Sequence, residues 1–146
     1  MAITQAIANA FKKQLLEGDQ NFKSSGGDVF KLALYTSSET LNSTTTAYVN
    51  TNEVANSGQY TAGGSQLTGQ NTSIASGVAI VDFADLSFTG VTLTARGALI
   101  YNTSSAVTNA AVAVLNFGAD KTATSGTFTV QFPAFTTAAA ILRISG

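Results

Sequence analysis

Residues 126–132, Gly-Thr-Phe-Thr-Val-Gln-Phe, alternate between polar and apolar side chains along almost their whole length. A period of two places successive side chains on opposite faces of a β-strand. The predicted inner face carries Phe128, Val130 and Phe132, and the outer face carries Thr127, Thr129 and Gln131. Pro133 ends the strand because proline cannot donate to a strand ladder. This stretch therefore predicts a half-buried strand in a mainly β domain.

Similar stretches recur on both sides of it. Val91, Leu93 and Ala95 are predicted to face inward from a hairpin whose turn is Gly90, and Gly118–Lys121 is predicted as a second turn. Upstream, Phe30, Leu32 and Leu34 predict the buried face of a half-buried strand, with Lys31, Ala33 and Tyr35 on its other face. The predicted strands are Val29–Thr36, Val78–Phe83, Leu86–Thr89, Val91–Ala95 continuing through a bulge into Gly97–Asn102, Ala111–Phe117, Gly126–Phe132 and Ala139–Ser145.

Residues 37–77 are the least regular part of the chain and are dense in Ser, Thr, Asn and Gly. A structureless segment of this length is unusual in a compact domain, so short strands are expected within it. Thr51–Gly64 is predicted to be one long excursion from the sheet. Excursions of this kind often carry a binding function, and this one is a candidate partner contact.

The N-terminal segment has a different period. Apolar residues recur at three- and four-residue steps in Ala2–Glu17, which predicts an amphipathic helix, and Gly18 stands where a left-handed C-cap is expected. The stripe consists of Ile3, Ile7, Ala10, Phe11 and Leu15. It packs either on the protein's own sheet or on a neighbouring subunit.

One helix and seven to ten short strands predict a β-sandwich or jelly-roll-like fold with an N-terminal α-helix. A barrel is the alternative, since the number of strands does not separate the two. The predicted organisation is a helix over residues 1–18 and a single β domain over residues 19–146.

Composition limits the classes of partner. Charged residues make up 10% of the 146 residues, against about 25% in typical proteins. The polar surface must come mainly from 21 Thr and 14 Ser, which suits packing against other protein copies. The net charge of −1 gives no basic face for direct nucleic-acid binding. No run of about 20 apolar residues predicts a membrane span, and no signal peptide is evident, so a soluble protein made in the cytoplasm is expected.

The residue types that most often carry chemistry are scarce. The chain has no Cys and no His, so no disulfide, no thiolate metal site and no imidazole base are available. Asp82 and Asp85 could share a cation or act as an acid/base pair, and Asp120-Lys121 could form a reactive pair, but both patterns are more typical of strand ends and turns. We therefore expect no enzyme, no catalytic residues, no metal and no cofactor.

Two kinds of residue are candidates for contact with a partner. Arg96 stands in an otherwise uncharged strand and could bind a carboxylate bidentately across a subunit interface, or lie on the surface of an edge strand. Tyrosine is enriched at interfaces, but it also fills cores with its hydroxyl tethered. The four tyrosines are Tyr35, Tyr48, Tyr60 and Tyr101, and the candidate interface set is Ile3, Ile7, Phe11, Leu15, Tyr48, Tyr60 and Arg96.

Several segments together resemble a group of small, mostly uncharacterised structural proteins of tailed bacteriophages. The resemblance covers nearly the whole chain. It rests on Met1–Ile7 leading to Leu15–Gly18, on Phe30–Thr36, on Tyr60–Gly64, on Ala95–Asn102, and on Ala111–Lys121 running on to Phe128–Pro133. It implies a virion protein and supplies no catalytic or binding residues.

The resemblance leads to an expectation about function. A capsid decoration or cement protein is expected, located in the virion, with the major capsid protein as its main partner and with self-association. A tail or neck component, such as a tail-tube or adaptor protein, is the first alternative. A host-surface or carbohydrate-binding β module is the second, although such modules often expose Trp and this chain has none.

Overall fold

The computed structural model describes residues 2–133 and 140–145. Within them the chain is mainly β, with two antiparallel sheets and one short helix. The elements are β1 (Ala6–Ile7), α1 (Asn9–Glu17), β2 (Phe30–Tyr35), β3 (Ser65–Gln66), β4 (Asn71–Ala75), β5 (Val78–Asp82), β6 (Leu86–Asn102), β7 (Ala110–Val130) and β8 (Leu142–Ser145). The larger sheet has the order β1-β7-β6-β2-β3, and the smaller has the order β4-β5-β8.

Two long strands, β6 and β7, replace the shorter ones predicted for this region. Val91, Leu93 and Ala95 face inward as predicted, and the continuation beyond Ala95 through a bulge is confirmed. The turns predicted at Gly90 and at 118–121 are wrong. Gly90 has a φ of 64° and Gly118 a φ of 82°, but both lie inside strands, at or beside irregularities in their pairing. A bulge accommodates extra residues and positive φ angles without ending the strand.

The largest of these irregularities lies in β7. Ala95 pairs with Lys121 and Gly97 pairs with Asn116, so four residues of β7, 117–120, lie opposite the single residue Arg96, and three of them are extra relative to β6. The two strands resume their pairing on both sides of this bulge. It carries Asp120 out to the exposed surface beside β6.

Strand β2 is buried on both faces, so the half-buried strand predicted there is wrong. Ala33 and Tyr35, on the face predicted to be outer, are as inaccessible as Leu32 and Leu34 on the inner face, each at 0% exposure. β2 lies between β6 and β3, and it also bonds to the excursion through Val54, whose N–H donates to the carbonyl of Leu34. Contacts distant in sequence therefore cover the face that the local pattern assigned to solvent.

The N-terminal helix is shorter than predicted. It begins at Asn9, and residues 3–7 are extended because their backbone pairs with other strands. Ala6 and Ile7 pair with Val114 and Ala113 of β7, and Ile3 forms a parallel bridge with Leu41. The helix ends as predicted, at Gly18 with φ 82°, and the Gly18 N–H donates to the carbonyls of the last turn.

Strands β4 and β5 form a tight hairpin in the smaller sheet. Its two turn residues, Ser76 and Gly77, have φ angles of 51° and 77°, the combination that defines a type I′ turn. β8 pairs with the other edge of β5 from Leu142 onward. The predicted last strand began at Ala139, which lies outside the described residues.

Phenylalanine rings link the helix, the following linker and the strands. Phe22 stacks on Phe30 with ring centroids 4.4 Å apart, and Phe83, just after β5, packs against both. Phe11 of α1 meets Phe22 edge to face at 5.8 Å. The helix and the residues after β5 thus share one apolar core with β2.

A buried polar network fastens the linker between α1 and β2. Asn102, at the end of β6, donates through Nδ2 to Gln20 Oε1 at 2.9 Å and to Asp28 Oδ2 at 2.7 Å. Gln20 in turn donates to Gln14 Oε1 at 2.8 Å. Buried amides are tolerated when they are hydrogen-bonded in this way, and the network holds residues 19–28 together with the ring contacts of Phe22.

Candidate functional site

The main polar cluster of the described residues is centred on Glu53, in the excursion that follows β2. Its carboxylate accepts hydrogen bonds from the Tyr48 hydroxyl, the Tyr60 hydroxyl and the Gly63 N–H, each at 2.6 Å. The Tyr60 hydroxyl also accepts the Leu34 N–H of β2 at 2.8 Å. Glu53 therefore connects two parts of the excursion to each other and, through Tyr60, to the central sheet.

The other two tyrosines complete this arrangement, which we call the tyrosine cluster (Tyr35, Tyr48, Tyr60, Tyr101 and Glu53). Tyr101 of β6 donates to the Gly63 carbonyl at 2.6 Å and stacks on Tyr48 with centroids 4.7 Å apart. Tyr35 donates to the Val49 carbonyl at 2.6 Å. Each of the four hydroxyls thus has a partner within the chain.

The electrostatics of the cluster keep its hydroxyls protonated. Burial raises the pKa of Tyr101 to about 12, and the negative charge of Glu53 adds to that effect. Burial also raises the pKa of Tyr35, Tyr48 and Tyr60 above the ordinary tyrosine value, again with a contribution from Glu53. A protonated, tethered phenol is a hydrogen-bond donor rather than a nucleophile, so this geometry suits a structural clamp.

The clamp makes the excursion a fixed loop with an exposed outer side. Gly64 has a φ of 78°, and a Cβ there would collide with the backbone carbonyl of Leu32. The excursion also reaches β6, where the Gln59 N–H donates to the Thr89 carbonyl at 3.1 Å. Its exposed residues are polar or small and carry no charge: Thr51, Asn52, Ala55, Asn56, Gly58, Gln59, Thr61 and Ala62.

Glu53 was not identified from the sequence. The signal was present, because Glu53 is the one acidic residue of Thr51–Gly64 and lies between Tyr48 and Tyr60. The sequence does not show that the chain folds back on itself. That fold brings the Gly63 N–H to the Glu53 carboxylate and the Tyr101 hydroxyl to the Gly63 carbonyl.

The candidate interface residues have different environments. Ile3, Phe11 and Tyr60 are buried in the chain's own core, with 7%, 4% and 1% of their surface exposed. Ile7, Leu15 and Tyr48 are partly buried and pack against that core. Contact of these residues with a partner stays a prediction. The helix residue with a large free apolar surface is Leu16, 90% exposed, which the predicted stripe omitted.

Arg96 has its carboxylate partner within the same chain. Its Nε donates to Asp120 Oδ1 at 2.8 Å, and the two side chains are 37% and 49% exposed. The β7 bulge brings Asp120 to this position. Asp120 therefore pairs with Arg96, while the adjacent Lys121 lines a groove along β7. Because both side chains are partly exposed, the pair is accessible to another molecule, and an exposed pair of this kind contributes little to stability.

Asp82, the last residue of β5, and Asp85 each accept a backbone hydrogen bond. Asp82 Oδ1 accepts the Phe83 N–H at 2.9 Å, and Asp85 Oδ1 accepts the Phe132 N–H at 2.8 Å. Burial raises the pKa of the Asp82 carboxyl, the Phe83 N–H lowers it, and the charge of Asp85 raises it. Within residues 2–133 and 140–145, no group of three or more His, Cys, Asp or Glu could hold a metal ion.

The outer halves of β6 and β7 present a surface that we call the threonine face. It consists of the exposed hydroxyl residues Ser87, Thr89, Thr92, Thr94, Thr122, Thr124, Thr127 and Thr129. Ser87 bonds to Thr129 at 2.9 Å and Thr94 bonds to Thr122 at 2.8 Å, so pairs of hydroxyls bridge the two strands. A groove of about 540 Å³ runs beside it, lined by Phe117, Lys121 and Phe128 among others.

Comparison with known proteins finds no relative of this chain. No family model matches it, and neither does any curated protein or solved structure. In the described part of the chain, no helix is both long enough and apolar enough to cross a membrane. The structure thus defines a mainly β protein with a clamped excursion and a wide uncharged hydroxyl surface.

Proposed function

We propose that this chain is a non-enzymatic structural protein of a tailed-phage virion, and that it acts as a capsid decoration protein bound between subunits of the major capsid protein. The observation that carries the proposal is the threonine face. It places eight hydroxyl side chains on two adjacent strands, and the charged groups at its border are the Arg96–Asp120 ion pair and Lys121.

Such a surface favours protein contact for a physical reason. Burying an unpaired charge costs several kcal/mol, whereas a hydroxyl can exchange water for a partner's backbone groups at little cost. Charged residues are depleted at the centres of protein interfaces. A protein present in many copies benefits from a surface that is easy to desolvate and that holds a fixed shape.

The mechanism needs no chemistry. A protein that binds only the assembled shell stabilises that shell by mass action, to an extent set by its concentration relative to its dissociation constant. The clamped excursion and the helix with its exposed Leu16 are additional surfaces for the same partner. We further propose that the two sheets form a sandwich related to the jelly roll, supported by the phenylalanine core that α1, β2 and Phe83 share.

The test compares two matched substitutions in particles of the phage that carries this chain. Thr124→Lys adds a charge to the threonine face, and Thr108→Lys adds the same charge to an exposed site in the connection between β6 and β7. We expect Thr124→Lys to lower incorporation at least tenfold and Thr108→Lys to leave it unchanged. Equal incorporation of both variants would show that the threonine face is not the surface that contacts the capsid.

Cryo-electron microscopy of the same particles locates the wild-type chain. Many copies at the junctions between capsid subunits would support the decoration role. Density confined to the tail or neck would replace that role with the tail or neck alternative. A particle without the chain would refute the virion proposal as a whole.

A further inference from the structure

Strand β4 (Asn71–Ala75) is an open edge of the smaller sheet. All five of its residues are exposed, and β5 is the one strand that pairs with it among the described residues. It contains no charged residue and no proline, the usual features that protect an edge from pairing with another chain. Ile74 is 73% exposed at this edge.

The hairpin turn determines which backbone groups of β4 are free. In a two-residue type I′ hairpin, the residues that flank the turn, Ala75 and Val78, form a hydrogen-bonded pair. Hydrogen-bonded and non-hydrogen-bonded pairs then alternate along the ladder, so Ser73 and Asn71 also bond to β5. The N–H and C=O groups of Thr72 and Ile74 therefore point away from the sheet. The Thr72 N–H is bonded only to its neighbour's side chain, Asn71 Oδ1, at 2.9 Å.

We propose that β4 pairs antiparallel with β4 of a second copy of this chain, around a two-fold axis between the two Ser73 residues. In this register Thr72 lies opposite Ile74 of the other copy, and the reverse, which forms four backbone hydrogen bonds. A shift of two residues in either direction would leave only one hydrogen-bonded pair. The two smaller sheets then become one six-stranded sheet.

A second copy fits this edge better than an unrelated strand does. The backbone groups of Thr72 and Ile74 point outward, and those of Ser73 between them point towards β5. Under two-fold symmetry, Thr72 of each copy bonds to Ile74 of the other, and an isologous interface requires this self-complementarity. The strand is uncharged, so the two copies do not repel. Ile74, Ala79 and Ile144 lie side by side across the sheet, and the pairing places Thr72 of the second copy beside Ile74, with Val81 and Leu142 of that copy next across its sheet.

The size of the contact sets its strength. A stable interface uses about 20–30 residues on each side, and this one uses far fewer. The dimer is therefore weak in dilute solution and forms at high concentration, or where copies are already held close together. The inference does not depend on the proposed function, because it follows from the hairpin geometry alone.

The absence of cysteine from the chain allows a sharp test by disulfide formation. In the proposed dimer, Ser73 faces its own copy in a non-hydrogen-bonded pair, where Cα atoms are about 4.5 Å apart and a disulfide can form. Ala75 lies on the same face of the strand, but in this register it is opposite Asn71 of the other copy. It is too far from Ala75 of the other copy for a disulfide between the two positions. Under mild oxidation at high protein concentration, Ser73→Cys should form a covalent dimer at least tenfold faster than Ala75→Cys. Equal rates would overturn the proposed register.

Sedimentation analysis of chains without cysteine gives a second, independent measurement. The wild-type mass should rise from monomer towards dimer between micromolar and millimolar concentration. Ile74→Lys should abolish this rise, while Val107→Lys, which places the same charge at an exposed aliphatic residue outside β4, should preserve it. A wild-type protein that stays monomeric throughout would overturn the proposal. An Ile74→Lys variant that dimerises like wild type would also overturn it.

Discussion

Removal of the Glu53 carboxylate should destabilise the fold more than removal of any exposed carboxylate. Glu53 accepts three hydrogen bonds of 2.6 Å, from Tyr48, Tyr60 and Gly63. A hydrogen bond to a charged group contributes about 1.5–3 kcal/mol, and a buried donor left without an acceptor costs about 1–3 kcal/mol. These contributions overlap and are not additive, so we expect Glu53→Ala to lower the free energy of unfolding by about 4 kcal/mol.

The measurement is urea unfolding followed by circular dichroism and by tyrosine fluorescence, which is informative because the chain has no Trp. Glu39→Ala is the matched control, since Glu39 Oε1 accepts only the N–H of the next residue, Thr40, at 2.9 Å. That substitution should cost about 0.5 kcal/mol or less. Glu53→Gln should fall between the two, because the amide keeps one acceptor oxygen and Tyr48 can turn to accept from the new NH₂ group.

The result that would refute the clamp is a Glu53→Ala variant within about 1 kcal/mol of Glu39→Ala. A double-mutant cycle between Glu53→Gln and Tyr60→Phe separates the direct bond from general damage. A coupling energy close to zero would mean that Tyr60 and Glu53 do not stabilise each other, whatever their single effects.

Two further predictions concern the same region. Gly64→Ala should prevent stable folding, because the new Cβ would collide with the Leu32 carbonyl, whereas Gly26→Ala, at a similar positive φ in open space, should cost about 1 kcal/mol by thermal unfolding. The raised tyrosine pKa values predict a loss of stability in alkali. The tyrosines of the folded form bind their protons more tightly than those of the unfolded chain. Their contribution to stability is therefore fully present below about pH 10 and is lost as the pH rises towards the folded pKa, about 12 for Tyr101. The loss should be about 1.4 kcal/mol per pH unit for each of the buried Tyr35, Tyr60 and Tyr101 and less for the part-exposed Tyr48, and phenolate absorbance of the native protein that rises at ordinary tyrosine pH would contradict it.

Local periodicity was a good guide to which side chains face inward and a poor one to where strands end. Val91, Leu93, Ala95, Phe128 and Val130 lie inside as predicted, because alternation reports side-chain direction whatever the length of the strand. Gly90 and Gly118 suggested turns, yet they lie in bulged strands. A glycine with positive φ satisfies either geometry, and only the pairing of β6 with β7 decides between them.

Contacts distant in sequence account for the other differences. Residues 3–7 have a helical spacing of apolar side chains, but they bond to β7 and to Leu41 instead, since a strand edge offers hydrogen-bond partners along the whole segment. The same holds for the tyrosine cluster. The sequence allows either core or interface for each tyrosine, and Glu53, which accepts from Tyr48 and Tyr60, comes from a loop whose path the sequence does not specify.

The pairing of β1 with β7 also has a consequence for synthesis of the chain. Ala6 and Ile7 leave the ribosome more than a hundred residues before their partners, Val114 and Ala113. β6 and β7, by contrast, are joined by the short connection of residues 103–109 and can pair as soon as both have emerged. Ala6 and Ile7 therefore stay without their strand partners until β7 has been made, and β1 joins the larger sheet late although it is synthesised before the other strands of that sheet.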